Sequence, residues 1–313
     1  MLAFLIRRLA ATVPVLLVVA VIVFLILRLT PGDPAAIIAG DNASAEQMAA
    51  IRTALGLDRP LVVQFGSWLH DIVRGRLGES FYFKMTVNQL IGQRLGPTFA
   101  LATLTILIAV CVAVPLGVLA AWRHGGWLDR ALMGFSVLGF SIPVFVLGYI
   151  LIYVFSMKLG WFPVQGYVEM KHGFGRFLHH LILPACTLSV IYIALIARVT
   201  RAAVSEAMSE DYIRTARAKG LPEVRVLLRH ALANAAIPIV TVIGIGVALL
   251  IGGVVVTESV YAIPGLGRLT VDAVLARDFP TVQGIILFFS VAYVLVNLLV
   301  DLSYLVFDPR IRY

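Results

Sequence analysis

Residues 98–122 read TFALATLTILIAVCVAVPLGVLAAW, a run without one charged side chain. Wound into an α-helix at ~1.5 Å per residue it is roughly 37 Å long, more than the ~30 Å of hydrocarbon in a bilayer. Similar uncharged runs stand on either side of it: Leu9 to Leu27, Ala131 to Met157, Ala231 to Thr257 and Phe279 to Val300. A shorter one, Leu181 to Ala197, reaches spanning length by adding Val199 and letting Arg198 snorkel to the interface. Of the 313 residues, 60% are hydrophobic and 13% charged, about half the charge density of a soluble domain. The expectation is an all-α integral membrane protein of six transmembrane helices. The first run is longer than a signal-peptide core, and Leu27-Arg28-Leu29-Thr30-Pro31 has no small-residue cleavage site, so it reads as a span.

The net charge of +8 is topological. With the N-terminus placed inside, the inner segments hold Arg7, Arg8, Arg123, Arg130, Arg198, Arg201, Arg214, Arg217, Lys219, Arg225, Arg229, Arg310 and Arg312. The outer stretch from Asp33 to Arg94 balances six acids with six bases. The positive excess therefore lies inside, and an even number of spans puts both termini in the cytoplasm. No basic stripe with interleaved aromatics marks a nucleic-acid surface. Cys111 and Cys186 lack metal-ligand spacing and read as small buried hydrophobes.

The outer segment from Pro31 to Pro97 reads as two short amphipathic helices. Ser44 with Gln47 forms a capping box, Met48, Ile51 and Leu55 share a face, and Gly56 closes the first. Pro60 opens the second, with Val62, Phe65, Leu69, Ile72 and Val73 as its stripe and Gly75 as its stop. Such stripes suit packing on the protein's own outer surface or docking of an external partner.

The most informative polar stretch is Ser209 to Leu232, between the fourth and fifth spans. Ser209 is placed to cap a helix with Glu210 and Asp211 in its first turn, Lys219 in its last and Gly220 at the stop; both charges suit the helix dipole. Pro222 opens a second short helix, on which Leu221, Val224, Leu228 and Ala231 share a face, with Leu227 beside them. Two readings are open: a rigid knob for a soluble motor to grip, or a helical hairpin lying on the membrane surface.

Asp211-Tyr212-Ile213-Arg214-Thr215-Ala216-Arg217-Ala218-Lys219-Gly220-Leu221 resembles the ATPase-coupling loop of ABC importer permeases of the dipeptide, oligopeptide and glutathione branch. The resemblance covers nearly the whole chain. It runs through Arg7-Arg8-Leu9 with Pro14, Pro31-Gly32-Asp33-Pro34, Leu55-Gly56-Leu57-Asp58-Arg59-Pro60 and Arg229-His230-Ala231-Leu232 with Asn234-Ala235 and Pro238. It continues through Pro264-Gly265-Leu266-Gly267-Arg268, Arg277-Asp278-Phe279-Pro280, Val296-Asn297-Leu298-Leu299-Val300-Asp301 and Asp308-Pro309-Arg310-Ile311-Arg312. The superfamily's Glu-Ala-Ala triplet is here Arg214-Thr215-Ala216, and its downstream Leu-Pro is Leu232-Ala233. Both departures are typical of the peptide branch and leave the general motif's acidic contact without a counterpart.

The resemblance implies a type I ABC importer permease fold in the bacterial inner membrane. It implies a first span in residues 1–30, a periplasmic loop in 31–97, a five-helix core in 98–307 with the coupling loop at 205–232, and a cytoplasmic tail in 308–313. The implied partners are a second, similar permease, two cytoplasmic ATPase subunits and a periplasmic binding protein that delivers a dipeptide, short peptide or related solute. ATP and Mg belong to the ATPases, since this chain has no GxxxxGK[ST] phosphate loop; no cofactor and no catalytic role are expected of it. The residues implied for coupling are Tyr212, Ala216, Gly220, Leu221, Val224, Leu227 and Leu228. Polar or hinge residues inside spans, Ser141, Pro143, Tyr192 and Asn297, are pathway candidates, or else kinks and interhelical hydrogen bonds.

Two other classes are weighed. An ion-coupled secondary transporter usually carries charged ligands at mid-bilayer, and none is seen in the runs. An intramembrane hydrolase built on Gly139-Phe140-Ser141 lacks a base, because no histidine lies within a run. The adjacent His179 and His180 have no third metal ligand in the pattern.

Overall fold

A computed structural model describes residues 2–29, 44–54 and 56–307. The motif at 31–34, the tail at 308–313 and Leu55 lie outside the described residues. The described chain forms helices α1 (Leu2–Leu29), α2 (Ala45–Ala54), α3 (Leu61–Val73), α4 (Val87–Trp122), α5 (Trp127–Ser141) and α6 (Val144–Leu151). Then come α7 (Phe174–Ser209), α8 (Asp211–Ala218), α9 (Ala236–Val260), α10 (Leu266–Leu275) and α11 (Phe279–Phe307). No strand occurs among the described residues.

Among the described residues, four helices have the length and apolarity to cross a membrane: Val87–Trp122, Phe174–Ser209, Ala236–Val260 and the Phe279–Tyr304 part of α11. The pair Trp127–Ser141 and Val144–Lys158 makes five if counted as one broken span. The first expected span is helical over Leu2–Leu29, with Ala10–Leu25 as its described apolar stretch.

The run from Ala131 to Met157 is bent into two helical arms. Its two arms meet at a bend of 102°. Pro143 is the cause: its ring drives the preceding residue out of the helical region, and Ile142 sits at φ −91°, ψ 120°. Beyond α6 the helix loosens into a π stretch, Ile152–Lys158.

Two compact units divide the chain: residues 1–95 with 269–294, and residues 96–268 with 295–313. In the first, Ser44 and Gln47 form the expected reciprocal cap, at 3.0 and 3.2 Å. Pro60 precedes α3 as expected. Phe24 of α1 meets Phe65 and Trp68 of α3 with ring centroids at 5.3 and 5.5 Å. The inward face of α3 is not the whole expected stripe, for Gln64 is buried while Val62 and Val73 stand out at 82% and 80% exposure. A second reciprocal cap, Thr86 with Gln89, starts α4 well before its apolar run.

In the second unit α7 is the central helix. Its Leu181, Leu188, Tyr192 and Ile196 pack in one core with Leu101, Ala109 and Ala113 of α4 and Val242, Leu250 and Val254 of α9. The expected cysteine burial holds only in part: Cys186 is half-buried and Cys111 is exposed on α4.

Candidate functional site

The polar loop between α7 and α9 grows directly out of α7. Ser209 does not cap the next helix: its hydroxyl donates back to the Glu206 carbonyl at 2.6 Å and closes α7. Glu210 takes the cap position in an extended conformation, and Ile213 N–H donates to its carbonyl at 3.1 Å. Glu210 and Asp211 thus both sit at the positive end of the α8 dipole.

The far end of α8 is a full Schellman closure. Gly220 N–H donates to the Arg217 carbonyl at 2.9 Å and Leu221 N–H to the Ala216 carbonyl at 3.3 Å. Gly220 carries the left-handed φ of +74° that this closure needs. Across the turn, Arg217 forks onto Glu223, Nε to Oε1 at 2.7 Å and Nη2 to Oε2 at 3.2 Å. Helix α8 is therefore tied to the segment that follows by backbone and side chain together.

That segment departs from the expected α-period. After Pro222 come one short turn, Glu223–Arg225, a π stretch, Val226–Ala231, and a last turn, Leu232–Asn234. In a π stretch, residues five apart share a face, so Val226 and Ala231 point together into the protein. Both have no exposed surface, and Leu227 beside them has 6%. With Ile213 and Ala216 of α8 they form a second apolar core against Val118 and Ala121 of α4, Val204 and Ala207 of α7, and Ile239 of α9.

The seven coupling candidates therefore separate. Tyr212 (38% exposed), Gly220, Val224 (63%) and Leu228 (52%) face outward, Leu221 is half-buried, and Ala216 and Leu227 lie underneath. Burial, then the charge of Glu210, push the Tyr212 phenol above its ordinary value, against a hydrogen bond with Asn234.

Beside this loop is a contact that the sequence reading passed over. Asp129, buried in the first turn of α5, accepts both arms of Arg201 from α7: Nε to Oδ1 at 2.9 Å and Nη2 to Oδ2 at 2.8 Å. Gly125 N–H adds a bond to Oδ2 at 2.9 Å. The one available signal was a single acid between Arg123 and Arg130, where a short inner segment joins α4 to α5.

The pathway candidates differ in their surroundings. Ser141 donates to the Val137 carbonyl at 2.8 Å and, with Pro143, flanks the 102° bend. Tyr192 is buried between α7 and α9, against Gly246 and Gly253. Asn297 is exposed on α11. His179 Nε2 lies 2.7 Å from the Trp161 carbonyl and His180 Nδ1 2.9 Å from the Arg176 carbonyl. No group of three metal-ligating side chains occurs among the described residues.

The chain is similar to known proteins. Residues 113–313 match the family described as binding-protein-dependent transport system inner membrane component, and residues 1–102 match its N-terminal counterpart. A probable peptide ABC transporter permease protein of Sinorhizobium fredii is 54% identical, over 99% of both chains. A putative peptide transport system permease protein of Brucella abortus is 47% identical over the whole of both. A glutathione transport system permease protein of Pectobacterium atrosepticum is 44% identical, again over the whole of both. Among solved structures, the inward-facing MetNI methionine ABC transporter superposes with a TM-score of 0.60, covering 70% of this chain and 97% of that one. At 18% identity that likeness speaks for the fold, the type I ABC permease arrangement. On these grounds the chain belongs to the family of binding-protein-dependent transport system inner membrane components.

Proposed function

We propose that the outer face of the Asp211–Asn234 segment is the surface through which a partner ATPase drives this inner-membrane permease. One observation carries this reading. The loop presents Tyr212, Val224 and Leu228 to solvent while its underside is sealed by Ile213, Ala216, Val226, Leu227 and Ala231. A segment so anchored transmits a push instead of absorbing it, and exposed apolar side chains on a polar surface mark a contact face. Ala216 and Leu227 contribute by holding the loop in place, not by touching the partner.

In the assembled transporter this chain is half of the pathway. It pairs with a second, similar permease, and two cytoplasmic ATPase subunits bind and hydrolyse ATP. A periplasmic binding protein delivers the solute, and this chain itself performs no chemistry. Six spans with both termini inside complete the arrangement. Short peptides are the proposed solute, because relatives at 54% and 47% identity carry peptide transport in their names; a tripeptide such as glutathione falls in the same chemical class. The same relatives leave an ion-coupled carrier or an intramembrane hydrolase without support.

The test is co-purification of the ATPase with permease variants. Leu228→Glu and Val224→Glu are expected to lose the ATPase while inserting normally; full retention of ATPase and uptake by the double variant overturns the assignment.

A further inference from the structure

This inference rests on the coupling role proposed above and extends it to α5. That helix runs antiparallel along α7 and is fastened to it at successive levels. At its base stands the Asp129–Arg201 fork, with His124 Nδ1 3.0 Å from the same Arg201 nitrogen. Farther along, the Ser136 hydroxyl, which donates to the Leu132 carbonyl of its own helix at 2.9 Å, also lies 3.3 Å from the Ala194 carbonyl. Near the top, a Cβ placed on Gly139 would stand 3.1 Å from the Ala194 Cβ, so the two helices touch closely there. The Arg198 guanidinium lies over the Phe140 ring at 5.5 Å.

At Ser141–Pro143 the axis turns by 102°. Ile142 N–H closes the lower arm on the Leu138 carbonyl at 3.2 Å, and Leu147 N–H opens the upper arm on the Pro143 carbonyl at 3.1 Å. Pro143 itself has no N–H to offer, so the bend resists flexing less than a continuous helix does. The upper arm packs on α7 and α9 together: Gly148 lies against Thr187 of α7, Val260 at the end of α9, and Tyr261. Meanwhile α7 runs unbroken from the fork to Ser209, two residues before α8 begins.

We propose that α5 is a transmission arm: the Asp129–Arg201 fork makes α5 and the cytoplasmic half of α7 move as one body with the coupling loop, and the Ser141–Pro143 bend passes that motion to α6. A two-bond fork has fixed geometry, and drawing a buried carboxylate away from its guanidinium leaves an uncompensated charge, so the pair opposes sliding. Asp129 and Arg201 are thus positioning residues for coupling.

The experiment uses the reconstituted complex in proteoliposomes with its ATPases, binding protein and a labelled dipeptide. Cys111 and Cys186 are first replaced, and Gly139→Cys is combined with Ala194→Cys; their spacing is a few tenths of an ångström short of the usual disulfide Cβ separation. Oxidation is expected to leave uptake equal to that of the reduced sample, because the linked helices already travel together. Uptake that stops on oxidation and returns on reduction shows that α5 slides on α7 and overturns the proposal.

In parallel, Asp129→Asn and Arg201→Met are expected to raise the ATP consumed per dipeptide imported about tenfold or more, with Asp129→Glu preserving the ratio. An unchanged ratio, or both rates falling in proportion as a merely structural role gives, overturns it. Gly220→Trp is the control for the underlying reading. Normal import by that variant defeats the coupling assignment itself, whereas its failure beside fully coupled fork variants defeats only the transmission arm.

Discussion

The Thr98 hydroxyl donates a 2.6 Å hydrogen bond to Oε1 of Glu258, a carboxylate with no exposed surface, joining the apolar start of one span to the last turn of another. The Arg268 N–H donates to Oε2 at 3.0 Å, and Thr98 in turn accepts from Leu266 N–H at 2.8 Å. The Pro264–Gly265 turn and the first turn of α10 are thereby gathered around one buried acid. A Cβ added at Gly265 would fall on the carboxylate itself, which gives that glycine a packing reason.

Gly265→Ala is therefore expected to displace Glu258 and destabilise the protein. Glu258→Leu removes the shared acceptor and is expected to cost about 1–3 kcal/mol for each donor deprived of it. Thermal unfolding of the detergent-solubilised protein checks both; a melting temperature unchanged by Gly265→Ala contradicts the packing argument.

At Gly220 the strain is purely in the backbone, since open space surrounds its missing Cβ. Left-handed φ costs an ordinary residue about 1–2 kcal/mol and a β-branched one more, with asparagine tolerated best. ATP-driven uptake is expected to fall in the order Gly, Asn, Ala, Val at position 220. A valine variant that transports like the parent counts against a strained closure there.

The two faces of the coupling loop are expected to fail differently. Ile213→Ala hollows out a side chain with no exposed surface and should lower stability by about 2–5 kcal/mol, read as reduced folded yield. Leu228→Ala trims a side chain 52% exposed and should leave melting unchanged while weakening ATPase binding about tenfold, equivalent to 1.4 kcal/mol. Titrating the ATPase against solubilised permease measures the second effect, and a melting curve the first.

In the other unit Asp278 plays a comparable part. With 1% exposure it accepts from the Ser80 hydroxyl, the Phe81 N–H at 3.0 Å and the Thr281 hydroxyl at 2.6 Å. Asp278→Asn keeps the shape but halves the acceptor capacity, so a loss of about 1–3 kcal/mol in stability is expected. Protease sensitivity of the 79–86 loop is the direct readout, and a loop as resistant as the parent's contradicts the prediction.

Much of this site was legible in the residues. Asp211 near the start of α8, the stop at Gly220 and the restart at Pro222 are local matters, settled by neighbours a few residues apart. The cap was missed by one position because Ser209 found a carbonyl in the helix behind it, which left Glu210 to open α8 by its backbone alone. Val224 and Leu228 were grouped with Ala231 on one face by a 3.6-residue period. The π stretch changed that period, and packing against Val118 and Val204 chose which side was sealed.

The sequence by itself determined that the protein lies in a membrane and is built of helices, because apolar length and charge density are properties of the chain that no fold alters. It also set where those helices start and stop, through Ser44 with Gln47, Pro60, Pro143 and Gly220. Only the tertiary structure decided that Asp129 meets Arg201, 72 residues away, and that Thr98 meets Glu258, 160 away. Those partnerships depend on which helices pack side by side and at what register, and a buried acid is equally compatible, in the one-dimensional pattern, with any donor that packing brings to it.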